Sequence, residues 1–186
     1  MDEKLKKFSR DVSLERFISH STNGAITLSE ASEEQLRPQN NQWSCGILWG
    51  NDEIKGLIIL KFTTLNVLAM GSNVFESTND NMLFTYTKDF MKEYCNLYAG
   101  YIKGTFNNQK IPVGISLPIL SDSFTLDACL GFEKSEGIHD QWSLNSNESN
   151  FIVQSFMKIE DTFKRYNLDF LEEKKTEQKK ANIEFF

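Results

Sequence analysis

Apolar residues recur along the chain in two rhythms, one of period 3.6 and one of period 2, and each rhythm predicts an element. From Val12 to about Ser32 the apolar positions are Leu14, Phe17, Ile18, Ala25, Ile26 and Leu28. The first half of that stretch reads as a helix, with Asp11 or Ser13 as its N-cap, bent or ended by Asn23-Gly24. The polar run Glu33–Gln42, which contains Pro38, reads as a loop. Trp43–Trp49 and Lys55–Phe62 are short apolar runs joined by Gly50-Asn51-Asp52-Glu53, the pattern of a hairpin. Gly56-Leu57-Ile58-Ile59-Leu60 is nearly continuous in its apolarity, which predicts a strand covered on much of both faces. Thr63 or Thr64 is placed to cap a helix over 65–75, and 76–81 reads as a polar loop.

The strongest pattern lies in Met82–Lys110, and within it in Asp89–Lys103. At about 100° per residue, with Glu93 at zero, Leu83, Phe84, Phe90, Met91, Tyr94, Cys95, Leu97, Tyr98, Ala99, Tyr101 and Ile102 fall between roughly 40° and 240°. Asp89, Lys92, Glu93, Asn96, Gly100 and Lys103 fill the remaining arc. The pattern predicts a long helix with a wide, aromatic-rich core face and a narrow polar stripe. Gly100 within that stripe costs about 1 kcal/mol relative to alanine. A glycine on the exposed side suggests that something approaches it closely. Gly104–Lys110 reads as the C-cap and turn that end the helix.

Ile111–Pro118 then reads as a strand that stops at Pro118. Ser121–Gly131 reads as a helical turn or an irregular loop, and Phe132–Glu136 as a short strand. His139–Asn145 and Phe151–Ile159 are strand-like runs joined by a turn-rich loop at 146–150. From Glu160 the chain becomes highly charged. Phe163, Tyr166, Leu168, Phe170 and Leu171 predict an amphipathic helix that fades into a solvated tail. The order of elements is that of an α+β domain rather than a doubly wound parallel sheet. One domain over residues 1–159 and a charged, partly helical extension over 160–186 is the expected division.

Composition narrows the function classes. A chain of 186 residues suits one domain with a sizeable core, and fifteen Phe residues supply much of its volume. A net charge of −6 argues against nucleic acid as a partner, because phosphate neutralisation needs clustered Lys and Arg. The N-terminus shows no secretory pattern, and no apolar run approaches the ~20 residues needed to span a bilayer. Cys45, Cys95 and Cys129 are far apart and in no metal-ligand spacing, so they read as reduced, mostly buried thiols of a cytoplasmic protein. His20 and His139 are isolated from any Cys or Asp pattern and read as structural or surface residues. No nucleophile elbow, phosphate-binding loop, dinucleotide-binding glycine pattern or H-E-x-x-H motif occurs. Neither a covalent nucleophile nor a bound catalytic metal is supported, which leaves the polar stripe as the candidate site.

That stripe resembles the signature of the CheC/CheX/FliY family of response-regulator phosphatases. The signature is Asp or Ser, three residues, Glu, two residues, Asn, and a later Pro. Here it is Asp89-x-x-x-Glu93-x-x-Asn96, with Pro118 after twenty-one intervening residues, about one residue shorter than the family spacing. Asn96-Leu97-Tyr98-Ala99-Gly100-Tyr101-Ile102-Lys103 also resembles the family's flanking pattern, and Lys55–Phe62 followed by a helix resembles its Gly-initiated strand. A single Glu-x-x-Asn helix makes CheX the nearer relative. The Tyr-rich face of Tyr94, Tyr98 and Tyr101 is bulkier than usual, and the tail after Glu160 lies outside the family pattern.

The resemblance implies a CheC-like α+β fold, with long helices on a mixed, largely antiparallel sheet. It implies dephosphorylation of the aspartyl phosphate of a CheY-like response regulator. Asn96 would orient the attacking water and Glu93 would dock the regulator, with Asp89, Gly100, Lys103 and Pro118 in supporting roles. No cofactor of the chain's own is implied, because the regulator supplies Mg²⁺. CheX-type proteins can be homodimers, and the resemblance extends that expectation to this chain. Two other readings stand beside it: a non-catalytic adaptor that binds a regulator or motor component through the same helix, and an interaction domain whose partner site is the tail.

Overall fold

The computed structural model describes residues 1–21, 26–37, 40–70, 80–122, 137–146 and 149–172. The expectations for Asn23-Gly24, for 71–79, for the 123–136 stretch with Cys129, and for the tail beyond 172 lie outside these residues. No helix among the described residues is long and apolar enough to cross a membrane.

The hairpin forms as the pattern predicts. Strands β2 (Trp43–Gly50) and β3 (Ile54–Phe62) pair antiparallel, Trp43 opposite Phe62 and Gly50 opposite Lys55. Gly50 takes φ +139°, where an added Cβ would lie 2.1 Å from the Ile54 carbonyl oxygen, so the turn needs glycine. Asn51 Oδ1 accepts from the backbone N–H groups of Glu53 and Ile54 and closes it. Gly56 has another reason: a Cβ there would sit 2.0 Å from the Trp49 ring, which folds across the strand at that point.

Strands β6 (Ile138–Asn145) and β7 (Asn150–Ile159) form a second hairpin. Strand β1 (Thr27–Glu30) pairs with β6, and β7 pairs with β3. The sheet order is β1-β6-β7-β3-β2, with β4 (Gly114–Ile115) and β5 (Ile119–Asp122) both along the outer edge of β2. The largely antiparallel sheet is present, and every pairing among the described strands is antiparallel. Period-2 alternation sends Cys45, Ile47, Ile58, Leu60, Val153 and Met157 into the main core. Leu57, Ile59 and Phe156 form a second apolar cluster with Leu48. Strand β3 is therefore buried on both faces, as its continuous apolarity predicts.

Helix α1 starts far earlier than the expected cap at Asp11 or Ser13: it spans Asp2–His20. Leu5, Phe8, Ser9, Val12, Ser13 and Phe17 are buried at helical spacing, and the intervening lysines disguise that stripe in the sequence. Ser13 is a core residue rather than a cap. The 33–42 loop contains a short helix α2 (Glu33–Leu36), closed by a capping box between Ser32 and Gln35. Thr63 caps α3 (Thr64–Met70), its Oγ1 accepting from the Asn66 N–H at 3.2 Å.

Helix α4 spans Asp80–Asn108, about 43 Å at 1.5 Å per residue. Gly104 lies inside it rather than at its C-cap. Lys110 takes the left-handed conformation after it instead, at φ +60°. Two further corrections concern strands and tail. The 111–118 stretch is mostly irregular, with only Gly114–Ile115 paired before Pro118, and the chain rejoins the sheet edge as β5 after the proline. After β7 the chain first forms a 3₁₀ helix (Asp161–Arg165), and α-helix begins only at Phe170, later than expected, and is described as far as Glu172. Phe163, and Leu168 beyond it, are buried in the main core, so packing continues past Glu160.

Candidate functional site

Helices α1 and α4 run antiparallel on one face of the sheet, and a ladder of buried hydroxyls fixes their register. Ser9 Oγ lies 2.6 Å from Tyr98 Oη, and Ser13 Oγ lies 2.7 Å from Tyr94 Oη. Both pairs are spaced by four residues on each helix, so they form two successive rungs. At the Ser13 rung the proton order follows from the donors. The Trp142 indole N–H donates to Ser13 Oγ at 3.1 Å, and Tyr94 Oη–H donates to the Ser13 carbonyl at 2.9 Å. Ser13 Oγ–H is left to donate to Tyr94 Oη. Burial pushes both phenols above the ordinary tyrosine range, so both stay protonated. Aromatic contacts extend the ladder, with Phe17 edge-on to Phe90 and Tyr94, and Phe8 edge-on to Phe106. On the sheet side, Cys95 Sγ stands 3.6 Å from Cys45 Sγ, both thiols buried and free.

With its inner face so fixed, α4 turns its polar stripe outward. Asp89, Glu93, Gly100 and Lys103 are exposed and Asn96 is half-buried. Asn96 Nδ2 donates to Glu93 Oε2 at 3.3 Å, so the carboxamide and the carboxylate already touch. Asp89 pairs with Lys92 at 3.2 Å. A Cβ added at Gly100 would meet nothing within 4 Å. Neither packing nor backbone conformation therefore demands that glycine.

Pro118 stands apart from the helix, at the sheet edge between β4 and β5. Two residues later Leu120 pairs with Cys45, whose sulfur touches Cys95. The Asn107 carboxamide oxygen accepts from the Val113 N–H at 3.1 Å and ties the end of α4 to the segment leading to Pro118.

The structure adds neighbours that sequence spacing did not suggest. His20 stacks on the Phe90 ring at 4.0 Å, and its Nε2 lies 3.0 Å from the Phe90 carbonyl oxygen. A carbonyl only accepts, so Nε2 carries the proton. Burial lowers the imidazole pKa, against the opposing pull of the Phe90 carbonyl and the Glu93 carboxylate. One turn earlier on α1, the Arg16 guanidinium lies 4.6 Å over the Tyr101 ring. These two basic side chains flank the stripe, yet nothing in their sequence positions pairs them with residues seventy or more places away. The other flank of α4 carries Lys88, whose Nζ lies 3.5 Å from the centroid of the Trp43 ring and 3.8 Å from that of Phe84.

A carboxamide beside a carboxylate on an open helix face can hold a water and a cation at once, the amide through both donor and acceptor atoms. No protein-family model matches the sequence, and no curated relative does. Solved structures do match. The CheX–CheY–BeF3–Mg²⁺ complex from Borrelia burgdorferi contains a chain 14% identical, with a TM-score of 0.61, over 82% of this chain and 96% of that one. A chemotactic CheC-like protein from Shewanella oneidensis has a TM-score of 0.60 at 12% identity, over 85% of this chain and 100% of that one. CheX from Vibrio vulnificus has a TM-score of 0.56 at 13% identity, over 81% and 97%.

The chain has the fold of the CheX and CheC-like chemotaxis proteins. This CheC-like fold is the one implied by the Asp89–Lys103 pattern, and it supports the family resemblance. At such identities it is the backbone architecture that is shared.

Proposed function

We propose that the chain is a CheX-like member of the CheC/CheX/FliY family. Its activity in this reading is removal of the phosphoryl group from the aspartyl phosphate of a CheY-like response regulator. The observation that carries the proposal is the pairing of Glu93 with Asn96 on the exposed face of the long helix of a CheC-like fold. That one matching structure is a complex with CheY adds to it.

Phosphoryl transfer to water needs an in-line nucleophile and charge neutralisation more than covalent help. In this reading the regulator supplies Mg²⁺ and a lysine, and the phosphatase supplies the side chain that orients the water. Asn96 has the atoms for that task, an acceptor for a water hydrogen and donors toward the phosphoryl oxygens. Glu93 pairs with the regulator's lysine. That lysine competes with Asn96 for Glu93 Oε2, so docking frees the carboxamide to face the phosphoryl group. Asp89 and Lys103 extend the polar contact, Gly100 admits the regulator's surface, and Pro118 shapes the adjacent sheet edge. The reaction is cytoplasmic.

The test is phosphate loss from a regulator charged with a small phosphodonor. Asn96→Ala lowers turnover by on the order of 10²-fold, the usual scale for loss of one transition-state contact, with binding retained. Full activity in a folded Asn96→Ala chain overturns the assignment. Glu93→Ala mainly weakens binding, and the effect shrinks when the regulator's lysine is also changed. Tight binding without dephosphorylation by the unaltered chain supports the adaptor reading instead.

A further inference from the structure

Helix α4 extends well beyond the Glu93–Asn96 pair toward its N-terminus, and the exposed face changes chemistry there. Met82 and Tyr86 are 48% and 42% exposed. With Glu93 at zero, both fall within about 20° of it around the helix. They lie on the line of the candidate site, two and three turns before it. Met82 stands about 21 Å along the axis from Asn96 at 1.5 Å per residue. Neither side chain belongs to the apolar core of the described residues.

The flank beside them is cationic. Lys88 lies over the rings of Trp43 and Phe84, and burial, then Lys92, lower its pKa. Among the described residues no carboxylate pairs with it. Lys88, Lys92 and Asn96 fall at about −140°, −100° and −60°, so the lysines border the carboxamide's side of the stripe. The apolar foot therefore runs into the Asp89–Glu93–Asn96 stripe along one line, and Lys88 stands on the flank of the helix at the edge of its core face.

We propose that Met82 and Tyr86 form an apolar anchor for the same response regulator whose phosphorylated aspartate faces Asn96, with Lys88 set against a carboxylate at the rim of that regulator's anionic site. The inference rests on the functional reading above, because continuity with the Glu93–Asn96 pair and complementarity to an anionic site identify the occupant. Exposed aromatic and Met side chains are the residue types that anchor interfaces, where truncation costs most. The division of labour is therefore spatial: the N-terminal turns hold the regulator and Asn96 acts on the phosphoryl group.

The experiment titrates the full chain against a host CheY-like regulator loaded with beryllofluoride and Mg²⁺, and follows phosphate loss from the phosphorylated regulator in parallel. A Met82→Ser/Tyr86→Ser double variant binds at least tenfold more weakly and shows a matching rise in KM, with kcat within twofold of the unaltered chain. Lys88→Glu weakens binding severalfold, an effect that fades with added salt. A fluorophore on Tyr86→Cys changes its emission when the regulator binds, a readout independent of the folding of the double variant. Binding and KM within twofold of the unaltered chain, with a silent fluorophore, overturn the inference even if phosphatase activity is confirmed. Binding that weakens in the double variant while no chain dephosphorylates anything leaves the anchor standing and removes the catalytic reading. Failure of the unaltered chain to bind any regulator removes both.

Discussion

The two long faces of α4 have the same residue spacing and opposite treatment of polar atoms. Inside, the hydroxyls of Tyr94 and Tyr98 are bonded to serines of α1. Outside, Glu93 and Asn96 share one hydrogen bond of 3.3 Å, and the space over Gly100 is open. A buried hydroxyl left unpaired costs about 1–3 kcal/mol, so the inner face is completed within the chain. Exposed groups are paired by water at little cost and stay available to a partner. The contrast separates what holds the helix from what the helix presents.

The comparison can be broken at either face. The largest effect falls inside. Tyr94→Ala removes a fully buried ring, the acceptor of Ser13 Oγ–H and the donor to the Ser13 carbonyl, with an expected loss of about 3–5 kcal/mol in denaturant unfolding. Asn96→Ala comes next and moves turnover alone: its unfolding midpoint stays within experimental error of the unaltered chain. A comparable loss of stability in Asn96→Ala would erase the distinction between the faces.

Gly100 gives a smaller effect of opposite sign. Gly100→Ala places a methyl in open space and improves helix propensity, a gain of about 0.5–1 kcal/mol in unfolding. Gly100→Leu keeps much of that gain but weakens regulator binding severalfold if the partner's surface rests there. Unchanged binding of Gly100→Leu assigns the glycine no docking role.

The smallest effect concerns His20, which stands where the two faces meet. Its folded pKa is lowered by burial, so the unfolded chain binds more protons as pH falls through the imidazole range. Its contribution to stability is present above the ordinary histidine pKa and is lost as pH falls through the lowered one. Melting temperatures taken from pH 8 down to 5 should decline less steeply for His20→Gln than for the unaltered chain. Equal slopes would show that the stacking on Phe90 imposes no proton linkage.

Both hairpins were legible in the sequence because their apolar runs are short and separated by turn residues at fixed offsets, Gly50–Glu53 and 146–150. The stripe of α4 was legible because Asp89, Glu93, Asn96 and Gly100 repeat at helical spacing against eleven apolar positions. The cap expected at Asp11 or Ser13 leaves the first ten residues out of the helix, because Leu5 and Phe8 are scattered among lysines and only burial against α4 and the sheet reveals their stripe. Gly104 was misread as a cap because glycine signals a helix end only when nothing further along holds the turns. Here Phe106 is buried among Trp49, Phe163 and Phe170, and that packing carries the helix past the glycine.

Local periodicity by itself therefore determined the two hairpins, the long helix and which side of α4 is polar. It could not determine what lies beside that side, because the flanking groups come from distant parts of the chain. His20 and Arg16 reach the stripe because Ser9 and Ser13 meet Tyr98 and Tyr94 four residues apart, which sets two helices antiparallel. Trp43 reaches Lys88 because β2 runs beneath α4. Tertiary packing alone made those contacts, since a few buried hydrogen bonds and ring contacts fix a register that no sequence spacing encodes.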